Sequence, residues 1–219
     1  MASKLTEKVH GLLKKNLLHL SEVEVHNLND SLRLLAKWRS VLIQNTLIAK
    51  EGTKIRRGPF KGMEFLAESS EGCHVAKLLG TYEQPIHSYI NSISKESYQR
   101  VINVGCAEGY YAIGLALLMK EVEVLAYDTN RAAQEACDQL AAKNEIQDRI
   151  STFGELTPSD LTDSLLNESL IFCDIEGAEI DLLNPDLAPA LKHVDILVES
   201  HECLVPGVTG TLKSRFEET

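Results

Sequence analysis

VINVGCAEGYYAIGLAL (residues 101–117) begins as an apolar run suited to a strand, passes through a cluster of small residues, and ends as an apolar run suited to a helix. Gly105, Ala107 and Gly109 occupy alternate positions at the changeover. Small residues there permit a tight turn and let the backbone come close to a ligand, while the helix that follows offers free N–H groups. The same pattern also serves a helix packed tightly against a strand.

From this stretch to the C-terminus, strand and helix signals alternate, which predicts an α/β fold with a parallel sheet covered on both faces. Strands are expected at Arg100 to Cys106, Val122 to Asp128, Ile150 to Phe153, Leu170 to Ile175 and Val194 to Ser200. Helices are expected near Tyr110 to Met119, Arg131 to Asn144, Ser159 to Leu166 and Ala178 to Leu183. Right-handed crossovers between parallel strands narrow the topology to a doubly wound, Rossmann-like sheet.

Upstream, Val25, Leu28, Leu32, Leu35, Leu42 and Ile43 recur at helical spacing. Two helices are expected, separated near Ser21, which would cap the second, with Gly52 ending the region. TKIRRGPFKGMEFL (residues 53–66) alternates about Gly58-Pro59 and predicts two short strands and a turn. A helix is expected from about Tyr82 to Ile93, after the LLGTYEQP loop. The organisation reads as a helical extension over 1–52, a hairpin and helix over 53–94, and a ligand-binding domain over 95–219.

The net charge of −10 opposes a phosphate backbone, so no nucleic-acid partner is expected. There is no apolar run long enough to span a membrane and no signal-peptide pattern, which places the protein in the cytoplasm. Cys73, Cys106, Cys137, Cys173 and Cys203 form no CxxC pair and are expected as reduced, mostly buried thiols. KIRRGPFK (residues 54–61) is the only dense basic run; it reads as a solvated hairpin, or as an attractor for an acidic substrate.

EVLAYDTN (residues 123–130) places Asp128 at the end of the second strand, some twenty residues after the glycine turn, where a carboxylate can accept hydrogen bonds from both ribose hydroxyls. Asp128 could instead cap the following helix. A glycine turn with an acidic strand end indicates an adenosine-containing ligand. NVGCAEG departs from the GxGxxG pattern of pyrophosphate sites and carries Glu108, which would repel phosphate; S-adenosylmethionine has no phosphate and brings an ammonium.

VINVGCAEGYYA, LAYDTN, FGEL and FCDIEGAEIDLL (residues 172–183) together resemble the motifs of class I S-adenosylmethionine-dependent methyltransferases, and the D-x-E-G-x-E element at Asp174 to Glu179 is similar to the FkbM-type branch. The resemblance implies a seven-stranded sheet. It puts Asn103, Gly105, Cys106, Ala107 and Gly109 at the methionine part of the donor, Asp128 and Thr129 at the ribose, Gly154 and Glu155 at the adenine, and Tyr82 and Glu83 beside the pocket. Relatives often have an acidic residue where this chain has Asn103, a role Glu108 could take. CLVPGVTGTLKSRFEET (residues 203–219) is too short for the family's last two strands and a helix. The sheet is therefore expected to lack its final strands, with the chain cut short and the fifth strand as an open edge.

If the acceptor is a hydroxyl, methyl transfer needs a base as well as positioning. Strand alternation puts Asp174 with Glu176, and Glu199 with His201, at neighbouring strand ends. His201 is the first choice for general base, Asp174 the second and a neighbour of the methyl group, and Glu176 belongs to the same catalytic cluster. His201 could equally be a histidine bonded to a backbone carbonyl. The cluster also suits a magnesium or manganese ion, and Glu176 and Glu179 could instead cap the next helix.

These residues point to an O-methyltransferase acting on a small-molecule or glycan acceptor, most plainly a sugar hydroxyl. The alternatives are an N-methyltransferase, an RNA or protein methyltransferase, and a non-catalytic adenosine-binding module. A homo-oligomer could form through the N-terminal helices or the fifth-strand edge.

Overall fold

The computed structural model describes residues 3–18, 24–67 and 73–217. Ser21 and its expected capping role lie outside the described residues. The chain divides into two compact units, Met1–Thr53 and Lys54–Thr219. The first holds helices α1 (Lys4–Leu18) and α2 (Val25–Glu51), joined by a hydrogen bond from Trp38 Nε1 to Thr6 Oγ1 (3.3 Å). α2 opens on a capping pair in which the Glu24 N–H donates to Asn27 Oδ1, and it stops at Gly52, whose N–H closes on the Ile48 carbonyl.

The second unit is a five-stranded, wholly parallel sheet in the order β3-β2-β1-β4-β5. The strands are β1 (Arg100–Val104), β2 (Glu123–Tyr127), β3 (Ile150–Phe153), β4 (Ser169–Cys173) and β5 (Asp195–Val198). The helices, in chain order, are α3 (His74–Leu79), α4 (His87–Ile93), α5 (Tyr110–Leu118), α6 (Arg131–Lys143), α7 (Asp163–Leu166), α8 (Glu179–Leu182) and α9 (Val208–Phe216). β1 and β4 are mainly apolar, through Val101, Ile102 and Val104 and through Leu170, Ile171, Phe172 and Cys173, because both their faces are buried. Ile102, Val104, Ile171 and Cys173 point into a core with Leu182, Leu183, Leu191, Val208 and Leu212. The alternate residues face α5, where the ring of Phe172 stacks on Tyr111 at 4.2 Å. Full burial of each large apolar side chain contributes about 1.5–3 kcal/mol.

Register is what builds the site. Val104 pairs with Tyr127 and with Cys173, Tyr127 pairs with Phe153, and Cys173 pairs with Val198. All five strands therefore end level. The first residue beyond each is, across the sheet, Gly154, Asp128, Gly105, Asp174 and Glu199. One line of loop positions thus runs over the carboxyl edge of the sheet, where ligands bind in open α/β folds.

Several expected elements differ. The 53–66 segment forms no pair of strands, only an isolated antiparallel bridge between Lys54 and Glu64. Its two arms are tied at one point, where Ile55 N–H donates to the Met63 carbonyl and the Ile55 carbonyl accepts from Gly62 N–H, but pairing goes no further: Arg56 N–H donates to the Leu78 carbonyl, and Pro59 has no N–H to give. The Phe60 ring packs so closely on Gly114 of α5 that a Cβ there would lie 2.6 Å from it, and Ile55 is buried too, so the segment is a docked strap rather than a solvated hairpin. The helix expected from Tyr82 starts later, with a 3-10 turn at Gln84–Ile86 that runs into α4. The helix expected over Ser159 to Leu166 is broken into a 3-10 turn at Pro158–Asp160 and the short α7, which Thr162 caps by accepting from Leu165 N–H. α3 and α9 were not expected. No helix of the described residues is long and apolar enough to cross a membrane. All five cysteines are free thiols, with Cys106, Cys137 and Cys173 buried and Cys73 and Cys203 exposed.

Candidate active site

A cavity of about 1140 Å³ lies over the level strand ends. Its lining includes Tyr82, Gly105, Asp128, Thr129, Gly154, Glu155, Asp174, Glu176 and His201. Glu83 lines it as well, whereas Asn103, Cys106, Ala107 and Gly109, also expected at the donor, are not part of the lining, for local reasons. Asn103 sits on the α5 face of β1, buried, with Nδ2 donating to the Phe172 carbonyl. Cys106 is buried with its thiol toward the Ala107 carbonyl and Cys137. Gly109 packs against Cys137 at the start of α5, and Ala107 turns with φ of 47°.

The turn after β1 is set by the protein's own backbone. Gly105 and Cys106 both donate to the Tyr127 carbonyl, at 2.8 and 3.0 Å. Gly105 has φ of +79°, and a Cβ there would lie 1.7 Å from the Asp174 carbonyl oxygen. Close approach to a ligand is thus not the first reason for this glycine; close approach to the β4 loop is. Asp128 completes the turn: Oδ2 accepts from Ala107 N–H (2.9 Å) and Oδ1 from Asn130 N–H (2.8 Å). The cap of α6 is Asn130, which accepts from Ala132 N–H, so the capping alternative for Asp128 is set aside. Each Asp128 oxygen keeps a further lone pair for a ligand hydroxyl.

Glu108 has a different role from the one its position suggested. It is wholly buried, away from the cavity, and accepts from Lys77 Nζ at 2.6 Å. The ammonium also lies over the Tyr82 ring, 4.9 Å from its centre. With its charge matched inside the protein, Glu108 neither repels phosphate in the cavity nor stands in for a carboxylate at Asn103. Sequence distance hid this pair, because Lys77 comes from α3, an element that the sequence reading lacked.

The charge of the cavity comes from other residues. Glu83, Asp128, Glu155, Asp174, Glu176, Asp181 and Glu199 line it, against His201 and Arg215. Arg215 is already engaged, donating through Nη1 to the carbonyls of Ile180 and Leu183 (3.0 Å for the latter). Such a cavity favours a cation and disfavours a pyrophosphate or an anionic substrate.

At the β4–β5 end, His201 Nδ1 meets Glu179 Oε1 at 2.6 Å, while Nε2 lies 3.5 Å from Asp174 Oδ1 and 3.7 Å from Glu176 Oε2. His201 is therefore bonded to a carboxylate and not to a backbone carbonyl. Glu179 is buried and also accepts from the N–H groups of Ile175 and Gly177; these bonds outweigh its burial and hold its carboxyl below the usual range. Burial alone would lower the pKa of His201, but the contacts with Glu179, Asp174 and Glu199 raise it above 6.5. Burial, then repulsion from Glu199, pushes Asp174 up to about 7. Glu176 is mostly exposed and takes a left-handed φ of 55°, beyond the end of β4, so strand alternation does not describe its placement. Asp174, Glu199 and His201 each offer a ligand atom within 4.8 Å of the others.

No family model matches the chain, and no curated protein matches it. Solved structures do. A Staphylococcus aureus protein assigned as a caffeoyl-CoA O-methyltransferase matches at 12% identity over 50% of this chain and 49% of its own, with a TM-score of 0.38. A Klebsiella pneumoniae protein assigned as an O-methyltransferase matches at 14% identity over 64% of this chain and 68% of its own, with a TM-score of 0.44. TomG of Streptomyces achromogenes, an O-methyltransferase of tomaymycin synthesis determined in complex with S-adenosylmethionine, matches at 16% identity over 59% of this chain and 64% of its own, with a TM-score of 0.43. The match spans about half the length of the first of these proteins. The three are likenesses of chain path and carry no residue roles across.

Proposed function

We propose that this chain binds S-adenosylmethionine across the level strand ends and methylates a hydroxyl of a small polar acceptor, a sugar hydroxyl fitting best, as an FkbM-type O-methyltransferase. The observation that carries the reading is the acidic cavity with a histidine–glutamate pair at one end. Its carboxylates suit the sulfonium and ammonium of this donor and are hostile to a dinucleotide's phosphates. Asp128 would hold the ribose hydroxyls, with Thr129, Gly154 and Glu155 around the nucleoside and Tyr82 near the methionine end. The donor supplies an electrophilic methyl group.

The residues of this chain supply position and a proton acceptor. Neutral His201 donates its Nδ1–H to Glu179 and presents the Nε2 lone pair to the cavity, where it would take the acceptor hydroxyl's proton as that oxygen displaces sulfur from the methyl carbon, the electron pair of the broken carbon–sulfur bond leaving on sulfur. Glu179 stabilises the imidazolium that results, as a buried carboxylate does for a catalytic histidine. Asp174, protonated up to about pH 7, adds a hydrogen-bond donor at the same point. Shielding within the cavity favours alignment of the two reacting atoms.

Calorimetry tests the donor. Wild-type protein is expected to bind S-adenosylmethionine and its demethylated product and to leave NAD unbound; the reverse result overturns the assignment. Asp128→Ala is expected to weaken donor binding at least about tenfold, since two hydrogen bonds to a charged group are lost. Unchanged affinity would remove the ribose role.

A second reading rests on the convergence of Asp174, Glu199 and His201. Carboxylates with an imidazole suit magnesium or manganese, and the three residues would then activate the hydroxyl as ligands of a cation. With His201 as base, turnover is expected to survive EDTA. Loss of turnover that manganese restores selects the cation instead.

A further inference from the structure

We propose that Glu83 is the carboxylate that receives the ammonium at the amino-acid end of the donor. The inference rests on the cavity being an S-adenosylmethionine site, and it names the residue that makes up for Asn103 and for the sequestered Glu108.

The register of the sheet gives the direction of the ligand. Asp128 and Gly154 stand beyond β2 and β3, Gly105 beyond β1, and Asp174 beyond β4. Neighbouring strands lie about 4.8 Å apart, so a donor whose ribose is held at Asp128 and which crosses Gly105 reaches the β4 end after about 10 Å. The amino-acid arm therefore ends near Asp174, where Glu83 also lines the cavity.

Glu83 is held there. Its φ of 46° lies in the left-handed region, which L-residues with long side chains seldom adopt and which persists where the surroundings impose it. The Tyr111 hydroxyl donates to Glu83 Oε2. Tyr111 belongs to the first turn of α5 and stacks on Phe172 of β4, so the carboxylate is fastened to the same elements that form the turn under the donor. Of the other acidic groups, Glu155 belongs to the β3 end and Glu199 to the β5 end, one strand beyond Asp174, where it clusters with His201. Glu108 is paired with Lys77 in the interior, Asp128 serves the turn, and Asp174 faces Nε2 of His201. Glu83 also acts on Asp174 and Glu199 by like-charge repulsion, which a bound ammonium would relieve.

Two nucleosides that differ in the amino-acid arm test this by calorimetry. S-adenosylhomocysteine carries the ammonium, and 5′-methylthioadenosine lacks it. Glu83→Gln is expected to weaken S-adenosylhomocysteine by about ten- to a hundredfold, the worth of a charge-assisted hydrogen bond, with methylthioadenosine affinity unchanged. Tyr111→Phe, which frees the carboxylate without removing it, is expected to give a smaller loss of the same kind, and it decides the matter if the Gln variant does not fold. Equal losses for both nucleosides, or none for S-adenosylhomocysteine, overturn the role of Glu83 while the donor reading stands. If wild-type protein binds neither nucleoside, the donor reading falls and Glu83's role with it.

Discussion

His201→Ala is expected to lower turnover by about 100- to 10,000-fold, the range of a positioned base, and to leave S-adenosylmethionine affinity as it was. The split follows from geometry, because His201 sits at the β4–β5 end of the cavity while the nucleoside would be held beyond β2 and β3. Single-turnover rates and calorimetry on the same variant measure both halves. Full activity rules out the base, and lost donor binding shows that the residue holds the donor instead. The pH profile adds a sign. His201 works when neutral and its pKa is raised above 6.5, so the rate of the wild-type protein should climb with pH through a midpoint above that value. Glu179→Gln removes the principal raising contact and should move the midpoint toward acid. Asp174 and His201 share the site, so the midpoint belongs to the pair.

The same groups bear on stability. His201 has a raised folded-state pKa, so its contribution is fully present below about pH 6.5 and fades as pH rises through the higher value. Asp174, raised from 3.8 to about 7, likewise favours the fold when protonated, and its burial weighs against the fold as pH rises through that interval.

The largest structural effect is expected from Gly105→Ala. The added Cβ would meet the Asp174 carbonyl oxygen at 1.7 Å, and the backbone would still have to hold a φ of +79°. Left-handed strain of about 1–2 kcal/mol and overpacking of about 1–3 kcal/mol add to roughly 2–5 kcal/mol. At about 2–4 °C per kcal/mol, that is a fall in melting temperature of roughly 4–20 °C, with donor binding lost as β1 and β4 part. Gly154→Ala is the control for melting alone, because its Cβ would meet nothing of the protein within 4 Å. A Gly105→Ala protein that melts with the wild type would show that the turn yields easily.

The sheet was legible in the sequence because β1 and β4 are buried on both faces and so are mainly apolar, broken in β1 only by Asn103 between Val101 and Val104, and β3 was bounded to the residue. The 53–66 strap was legible only in part: its arms meet at Ile55 and Met63, but its alternation reflects mainly the burial of Ile55, Phe60, Met63 and Phe65, and the pairing stops at one bridge. At the site, Asp128 and Asp174 could be named because they directly follow β2 and β4, and His201 because it lies in the loop just past β5. The partnership of His201 with Glu179 was missed, as Glu179 reads locally as a cap and only the β4–β5 pairing brings the two together. Glu108 misled for the opposite reason, since it sits in the turn after β1, where the sequence placed the donor, while its neighbour in space is Lys77.

That interior pair has a consequence for how the chain can vary. Removing one member would leave the other's charge buried without its ion-pair partner, at about 3–5 kcal/mol, whereas an apolar couple of matching volume is tolerated. Lys77 and Glu108 are thus expected to change together: homologues that keep this turn should retain both or exchange both, and 77 and 108 should co-vary across an alignment as one heritable character.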